Sequence, residues 1–248
     1  MFSLCIPTMN RYDTFLHKYI PLYLQNQFIQ EIIISDETGE DNIKINRDFP
    51  NNPKITLITN HTKLGPFKNK MSVCSAATNE WIVLIDSDNF ADIDYFKTAK
   101  EYIDANQLQQ NVILAPVHAK PNFNYTHLAG KCITRSNLKQ TIINEKNTIG
   151  SFTSSNVLMN TGNYVINKKL ITNISFTSED MELIYNSSAC DVILFNTFLF
   201  EKLDLNLHVV PNMTYEHVVH NGSIYTQTVA NTRTCVDKVH VRYNNLMN

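Results

Sequence analysis

The chain has 248 residues, 43% of them hydrophobic, and a formal net charge of −2. That is enough material for a full core, and the near-neutral balance supplies no basic surface to track nucleic-acid phosphates. The apolar runs are too short and interrupted to span a bilayer, and no basic stretch precedes the first of them, so a cytoplasmic chain without a membrane segment or secretory signal is expected. Cys5, Cys74, Cys132, Cys190 and Cys235 are odd in number, scattered and without a C-x-x-C pair. This argues against structural zinc or a disulfide framework and fits a reducing compartment.

In chain order, residues 3–6 read as a strand and residues 13–24 as a helix with Phe15, Leu16, Tyr19, Ile20, Tyr23 and Leu24 on one stripe. Pro21 inside that stripe predicts a kink or break. Strands follow at 31–35 and 55–59, then a helix opening after Gly65 with Pro66 in its first turn and Phe67, Met71, Cys74 and Ala77 or Thr78 on its buried face. The run from Trp81 is the next strand; a helix through Ile93, Phe96 and Ile103 leads to a strand at 112–115. Repeated strand–helix–strand units of this size imply a right-handed, mostly parallel, Rossmann-like α/β sheet flanked by helices. The second half is less regular. Residues 116–130 and 144–160 read as long loops, 163–166 as a strand, 190–203 as a helix apolar almost all round, and 207–210 as a strand closed by Pro211. No linker or internal repeat divides the chain, so one domain over 1–248 is expected, with a binding half at about 1–115 and a second half at about 116–248.

The stretch WIVLIDSDN, residues 81–89, carries the chemistry. A continuous apolar run reads as a strand buried on both faces, and in parallel sheets ligands gather beyond the carboxyl ends of such strands. Asp86 and Asp88, one residue apart at that end, offer hard oxygen ligands that suit Mg²⁺ or Mn²⁺ shared with substrate phosphates. The motif points to a nucleotide diphosphate.

Four segments in order, IPTMNR (6–11), IIISDETGED (32–41), NHTKLGPFKNK (60–70) and LIDSDN (84–89), resemble the inverting glycosyltransferases of family 2. The looser segments MNTGNYVINKKLI (159–171) and HVVPNMTYEHVVHNGS (208–223), with the Asp191 helix, extend the resemblance over most of the chain. It implies the GT-A fold, a nucleotide-diphospho-sugar donor with uracil or a related base, a Mn²⁺ or Mg²⁺ cofactor, and a glycan, protein or lipid-linked hydroxyl acceptor. Pro7, Thr8 and Arg11 would border the nucleotide after the first strand, and Asp36 would accept a hydrogen bond from the pyrimidine. Asn60, Lys63 and Lys68 would flank the nucleotide, with a lysine supplying a point charge to phosphate. Asp86 and Ser87 would lie toward the ribose, Asp88 would be the principal metal ligand beside Asp86, and Asp191 would be the catalytic base. Of the late histidines, His220 aligns with the residue that family members bring to the metal. An extended segment would turn His217 to the opposite face.

The chain departs from the family pattern in three places. Asp36-Glu37-Thr38-Gly39 replaces an Asp-Gly-Ser turn, Lys68 stands where an arginine is common, and Cys190-Asp191 replaces a Glu-Asp pair, leaving Glu179-Asp180 as a rival base. Asp36 is also compatible with a turn role, and Asp86, Asp88 and Asp191 with helix capping. No chemical role is expected for His17, His61, His118, His127, His208 or His240. A retaining transferase of the same fold and a catalytically idle nucleotide-sugar or glycan-binding module remain open alternatives.

Overall fold

In the computed structural model of the chain, residues 1–60, 62–144, 148–149, 152–153, 158–159, 162–187, 190–223, 237–239 and 241–246 are described. Most of the expected 144–160 loop lies outside them, as do His61, Cys235 and His240.

The first half alternates as its periodicity predicts, with an additional helix at Glu40–Asp48. Strand β1 (Phe2–Thr8) leads through a turn to α1 (His17–Gln25), β2 (Ile29–Asp36), α2 (Glu40–Asp48), β3 (Ile55–Thr59), α3 (Pro66–Ser75), β4 (Trp81–Leu84), α4 (Ile93–Asn106) and β5 (Val112–Lys120). Then come β6 (Phe123–Asn124), β7 (Cys132–Ile133), α5 (Arg135–Ile143), and β8 (Thr148–Ile149) paired with β9 (Phe152–Thr153) as a separate hairpin. Strand β10 (Val165–Asn167), α6 (Lys168–Asn173), α7 (Ser178–Asn186), α8 (Asp191–Lys202) and β11 (Asn206–Glu216) complete the named elements.

The main sheet runs β3-β2-β1-β4-β10-β5-β11-β7, with β6 on the flank of β5. Strands β3, β2, β1 and β4 pair in parallel, and β10 is antiparallel to both β4 and β5, so those two also run the same way. Strand β11 joins β5 in parallel, and β7 closes the edge antiparallel to β11. The six longest strands therefore share one direction, and their carboxyl ends open on one side of the sheet. Side-chain alternation divides the core between the two faces. On β4, Trp81 and Val83 join one apolar cluster with Leu4 and Ile6, while Ile82 and Leu84 join the other with Cys5. Helices α1 and α4 cover the first face through Ile20, Tyr23, Phe96 and Ile103, and α3 and α8 cover the second through Phe67, Cys74, Phe198 and Leu199.

Several expectations are corrected. The chain does not break at Pro21: α1 passes through it to Gln25, and the irregular winding lies upstream, in a π-type turn over Tyr12–Leu16. The 116–130 stretch is not a long loop. Strand β5 continues to Lys120 and folds back through β6. Pro116 is accommodated because β10 pairs only with Ile113 and Leu114, leaving one flank of β5 free of a ladder at that point. Pro211 does not close the last strand either. Pairing with β5 shifts between Val210 and Thr214, so Pro211 sits in a bulge where its missing N–H costs no ladder bond, and Asn212 adopts φ 65°. Helix α2 carries no apolar stripe in the sequence, because its buried face, Asp41, Asn42 and Ile45, is mostly polar. Among the described residues no helix is long and apolar enough to cross a membrane.

Candidate active site

The carboxyl ends of β1, β2 and β4 bring the sequence motifs to one edge. Thr8 is in register with Asp36, and Asp36 with Thr59. Ile85, just past β4, donates its N–H to Cys5 O, and Asp86 donates its own to Asn163 Oδ1 at 2.8 Å. Asn163, in the left-handed region at φ 60°, also donates to Tyr215 Oη and accepts at its carbonyl from the Tyr95 hydroxyl. The Asp86-Ser87-Asp88 turn is thereby anchored from beneath, with Ser87 buried.

Two clusters of opposite charge organise the site. In the first, Lys70 Nζ lies 2.9 Å from Asp86 Oδ1 and 2.8 Å from Asp191 Oδ2. Burial alone lowers the Lys70 pKa, but the two carboxylates, Asp191 foremost, outweigh it and raise it. Lys70 therefore stays an ammonium ion across the physiological range. In the second, His220 Nε2 lies 2.9 Å from Asp88 Oδ2. Burial, with the Asp86 charge next, raises the Asp88 pKa, and His220 and Arg11 oppose that rise. Gly222 N–H donates to His220 Nδ1, and Arg11 Nη2 donates to Gly222 O, so the 220–222 turn is tied to the loop after β1. Backbone bonds between Phe90 and Glu216, and a bond from Val218 N–H to the Asn89 side-chain oxygen Oδ1, carry this segment to the Asp-x-Asp loop. His217 goes elsewhere, against Phe123 and Asn122.

The remaining expected residues form a third group. Asp36 is fully buried; its carboxylate accepts from Thr38 N–H and Asn42 N–H, which makes it the organiser of the turn into α2. Thr8 donates to Asp41, whose carboxylate also accepts from the N–H groups of Arg11 and Tyr12. Asn60 reaches Ser35 and Asn69, Pro7 is half-buried at the strand end, and Lys63 is exposed near Glu37. Lys68, half-buried on α3, takes no part in either charged cluster. The lysine that enters the site is Lys70, which the sequence motifs do not single out. Its spacing from Phe67 and Cys74 is the signal that could have found it: a charge at i+3 and i−4 of two buried residues shares their helix face. Of the rival acids, Glu179 is exposed, and Asp180 is consumed by a capping box with Thr177 and by ion pairs to Lys202 and Arg242.

A divalent cation needs its donors at suitable separations. Among the described residues no group of three His, Cys, Asp or Glu side chains could hold a metal. Asp88 and His220 supply two donors 2.9 Å apart, close to the roughly 3.0 Å between adjacent ligands of an octahedral ion with bonds of about 2.1 Å. The Asp88 carboxylate, with other positions left to phosphate and water, suits Mg²⁺ or Mn²⁺, whereas the His220 imidazole is a softer donor than Mg²⁺ prefers. Asp86 is directed instead at Lys70.

Residues 3–164 match the family described as Glycosyl transferase family 2. The chain belongs to that family. It has the GT-A fold, and solved structures agree on that fold. The S. aureus TarS 1-349 structure in complex with UDP-GlcNAc superposes with a TM-score of 0.67 at 14% identity, covering 97% of this chain and 66% of that one. The TarS 1-349 complex with UDP gives 0.63 at 14% identity, covering 97% and 64%, and the longer TarS structure 0.64 at 14%, covering 97% and 39%. The chain thus spans less than two thirds of the length of these neighbours. No curated protein sequence matches it.

Proposed function

We propose that the chain transfers a sugar from a uridine diphosphate sugar to a hydroxyl acceptor by a single inverting displacement assisted by Mn²⁺ or Mg²⁺. The observation that carries this reading is the convergence of the Asp86-Ser87-Asp88 loop, His220 and Asp191 at the carboxyl end of β4. The TarS neighbours were solved in complex with UDP-GlcNAc and with UDP, which supports a donor of that class.

In this reading residues 1–115 hold the donor, and residues 116–248 complete a single domain with the base and the acceptor side. Thr8, Asp36 and Asn60 border the nucleoside, and Lys63, Lys68 and Arg11 face its phosphates. Asp88 and His220 would hold the cation, which would supply charge neutralisation to the departing diphosphate. Asp191 accepts the proton of the acceptor hydroxyl as general base. The acceptor oxygen forms its bond to the anomeric carbon as the bond from that carbon to the diphosphate breaks, and the electron pair leaves with the nucleoside diphosphate. The anomeric carbon passes through an oxocarbenium-like state. The acceptor would be a glycan, protein or lipid-linked hydroxyl.

The test uses water as a surrogate acceptor. UDP release from UDP-GlcNAc with Mn²⁺, followed for the full chain and for Asp191→Asn, is expected to be metal-dependent and to fall ~100-fold in the variant, with UDP affinity retained. Tight UDP binding with no turnover in the unaltered chain would instead describe a binding module and overturn the proposal.

A further inference from the structure

Lys70 lies between two acids that belong to different parts of the chain. Its Nζ atom is 2.8 Å from Asp191 Oδ2, at the first residue of α8, and 2.9 Å from Asp86 Oδ1, in the loop after β4. The Lys70 side chain is 17% exposed and that of Asp191 8%. Phe67, Leu84, Tyr164, Val192 and Phe195 wall the same cavity with apolar surface. Ion pairs strengthen against such walls, and a carboxylate left there without its partner is costly.

We propose that Lys70 is a positioning residue whose ammonium group ties the Asp191 carboxylate to Asp86, so that the loop receiving the donor also sets the aim of the base. The proposal rests on the reading of Asp191 as base. Asp86 is the fixed end of the bridge, because its own N–H is held by Asn163 Oδ1 at 2.8 Å. Asp191 is the end that must point at an acceptor. Its helix is capped at Cys190, which makes no side-chain cap bond, so Asp191 stands at the first helical position and not at the cap. The Asp191 carboxylate takes its orientation from Lys70 instead. Without the ammonium, two carboxylates would face each other across the cavity and repel, turning Asp191 away from its productive direction.

The proposal separates Lys70 from a phosphate-binding lysine. A residue acting through Asp191 affects turnover, and its effect vanishes once Asp191 can no longer act. A phosphate contact affects donor affinity and persists in that background. The experiment is a double-mutant cycle on the full chain, with UDP-GlcNAc hydrolysis in Mn²⁺ as the readout and UDP affinity measured in parallel. Lys70→Met is expected to lower kcat by ~10- to 100-fold, within the range of impaired general-base catalysis, with KM and UDP affinity changed less than about 3-fold. Lys70→Arg, which keeps the charge, is expected to recover most of the rate. In the Asp191→Asn background, Lys70→Met should cost little more.

An additive loss in the double mutant, or a fall in UDP affinity matching the fall in kcat, would overturn the proposal. Normal turnover by Asp191→Asn alone would instead remove the base reading, and this proposal with it, so the two failures are told apart. If Lys70→Met does not fold by circular dichroism, Lys70→Gln serves in its place. Its amide keeps one hydrogen bond but no charge, and the same loss of kcat and the same non-additivity are expected.

Discussion

His220 Nε2 lies 2.9 Å from Asp88 Oδ2, although the two residues are 132 positions apart in the chain. One stands in the loop that follows the central strand and the other in the segment after the last strand. The contact exists because the end of β11, Glu216, bridges to Phe90, just past the Asp-x-Asp loop, and the chain continues from there to His220. The geometry leads to four tests.

Asp88 has a side chain 19% exposed at the end of a loop, where truncation removes little packing. Asp88→Ala is expected to abolish UDP-GlcNAc turnover and to erase the Mn²⁺ dependence of UDP binding, with melting behaviour close to that of the unaltered chain. Calorimetric titration of UDP with and without Mn²⁺ decides the matter. Metal-dependent binding that survives in a folded Asp88→Ala protein would remove Asp88 from the metal site.

The two late histidines should behave differently. His220 contacts Asp88 and packs on Phe15 at 5.2 Å between ring centroids, whereas His217 packs on Phe123 at 5.0 Å. His220→Ala is expected to weaken Mn²⁺-assisted UDP binding by about 10-fold or more, the scale of a lost metal ligand or its immediate support. His217→Ala should have a much smaller effect. If the 220–222 turn orders over the donor, UDP with Mn²⁺ should slow proteolysis near Asn221-Gly222, and Arg11→Ala, which frees Gly222 O, should speed it. Equal sensitivity of the two histidine variants would contradict the assignment.

Asp180 should prove structural. Its fully buried carboxylate caps α7 and pairs with Lys202 and Arg242. Removing one partner of a buried ion cluster strands the others, so Asp180→Ala is expected to cost ~3–5 kcal/mol while leaving UDP affinity unchanged. Burial tends to raise this pKa, but Lys202, the Thr177 cap and Arg242 prevail and lower it from 3.8 to about 2. Because the folded value lies below the unfolded one, the stabilisation is present above about pH 4 and is lost as pH falls through about 2. It amounts to roughly 2 kcal/mol. Urea unfolding of the unaltered and Asp180→Asn proteins across pH 2–6 measures it: the gap between them should narrow at the acid end.

Asp36 offers a separate test of turn chemistry. Its carboxylate is fully buried and accepts from Thr38 and Asn42 N–H groups at 3.0 Å each. Asp36→Ala leaves the Asn42 donor unpaired in the interior and should destabilise the chain by about 1–3 kcal/mol. Asp36→Asn keeps one acceptor and should cost less. Chemical denaturation of the two variants, compared with the unaltered chain, gives the ranking.

Residues 81–89 show how much a local stretch of sequence carries by itself. A β-strand buried on both faces needs an unbroken apolar run, so WIVL announces its own burial, and the acids after it have to lie at the carboxyl edge. The spacing of Phe67 and Cys74 likewise announces the buried face of α3. These features are local: the period of two or 3.6 residues is set by backbone geometry within a single element. Arg11, Asp36, Asp86, Asp88 and Asp191 stand out because their residue types and order resemble those of the family.

Other features depend on partners far away in the chain. Helix α2 escapes notice because it buries Asp41 and Asn42, polar side chains whose burial is tolerable only once Thr8, Arg11 and Ile58 supply hydrogen bonds. Pro211 looks like a strand terminator until the bulge in the β5–β11 pairing removes the need for its N–H. The entry of Lys70 into the site, ahead of Lys68, depends on α3 lying on the sheet beneath α8, where an ammonium ion is stable only between Asp86 and Asp191. Local sequence determines which faces must leave water, because that preference is carried by each side chain. Which charges then meet is decided by packing, because a buried charge is stable only when the fold brings it a partner.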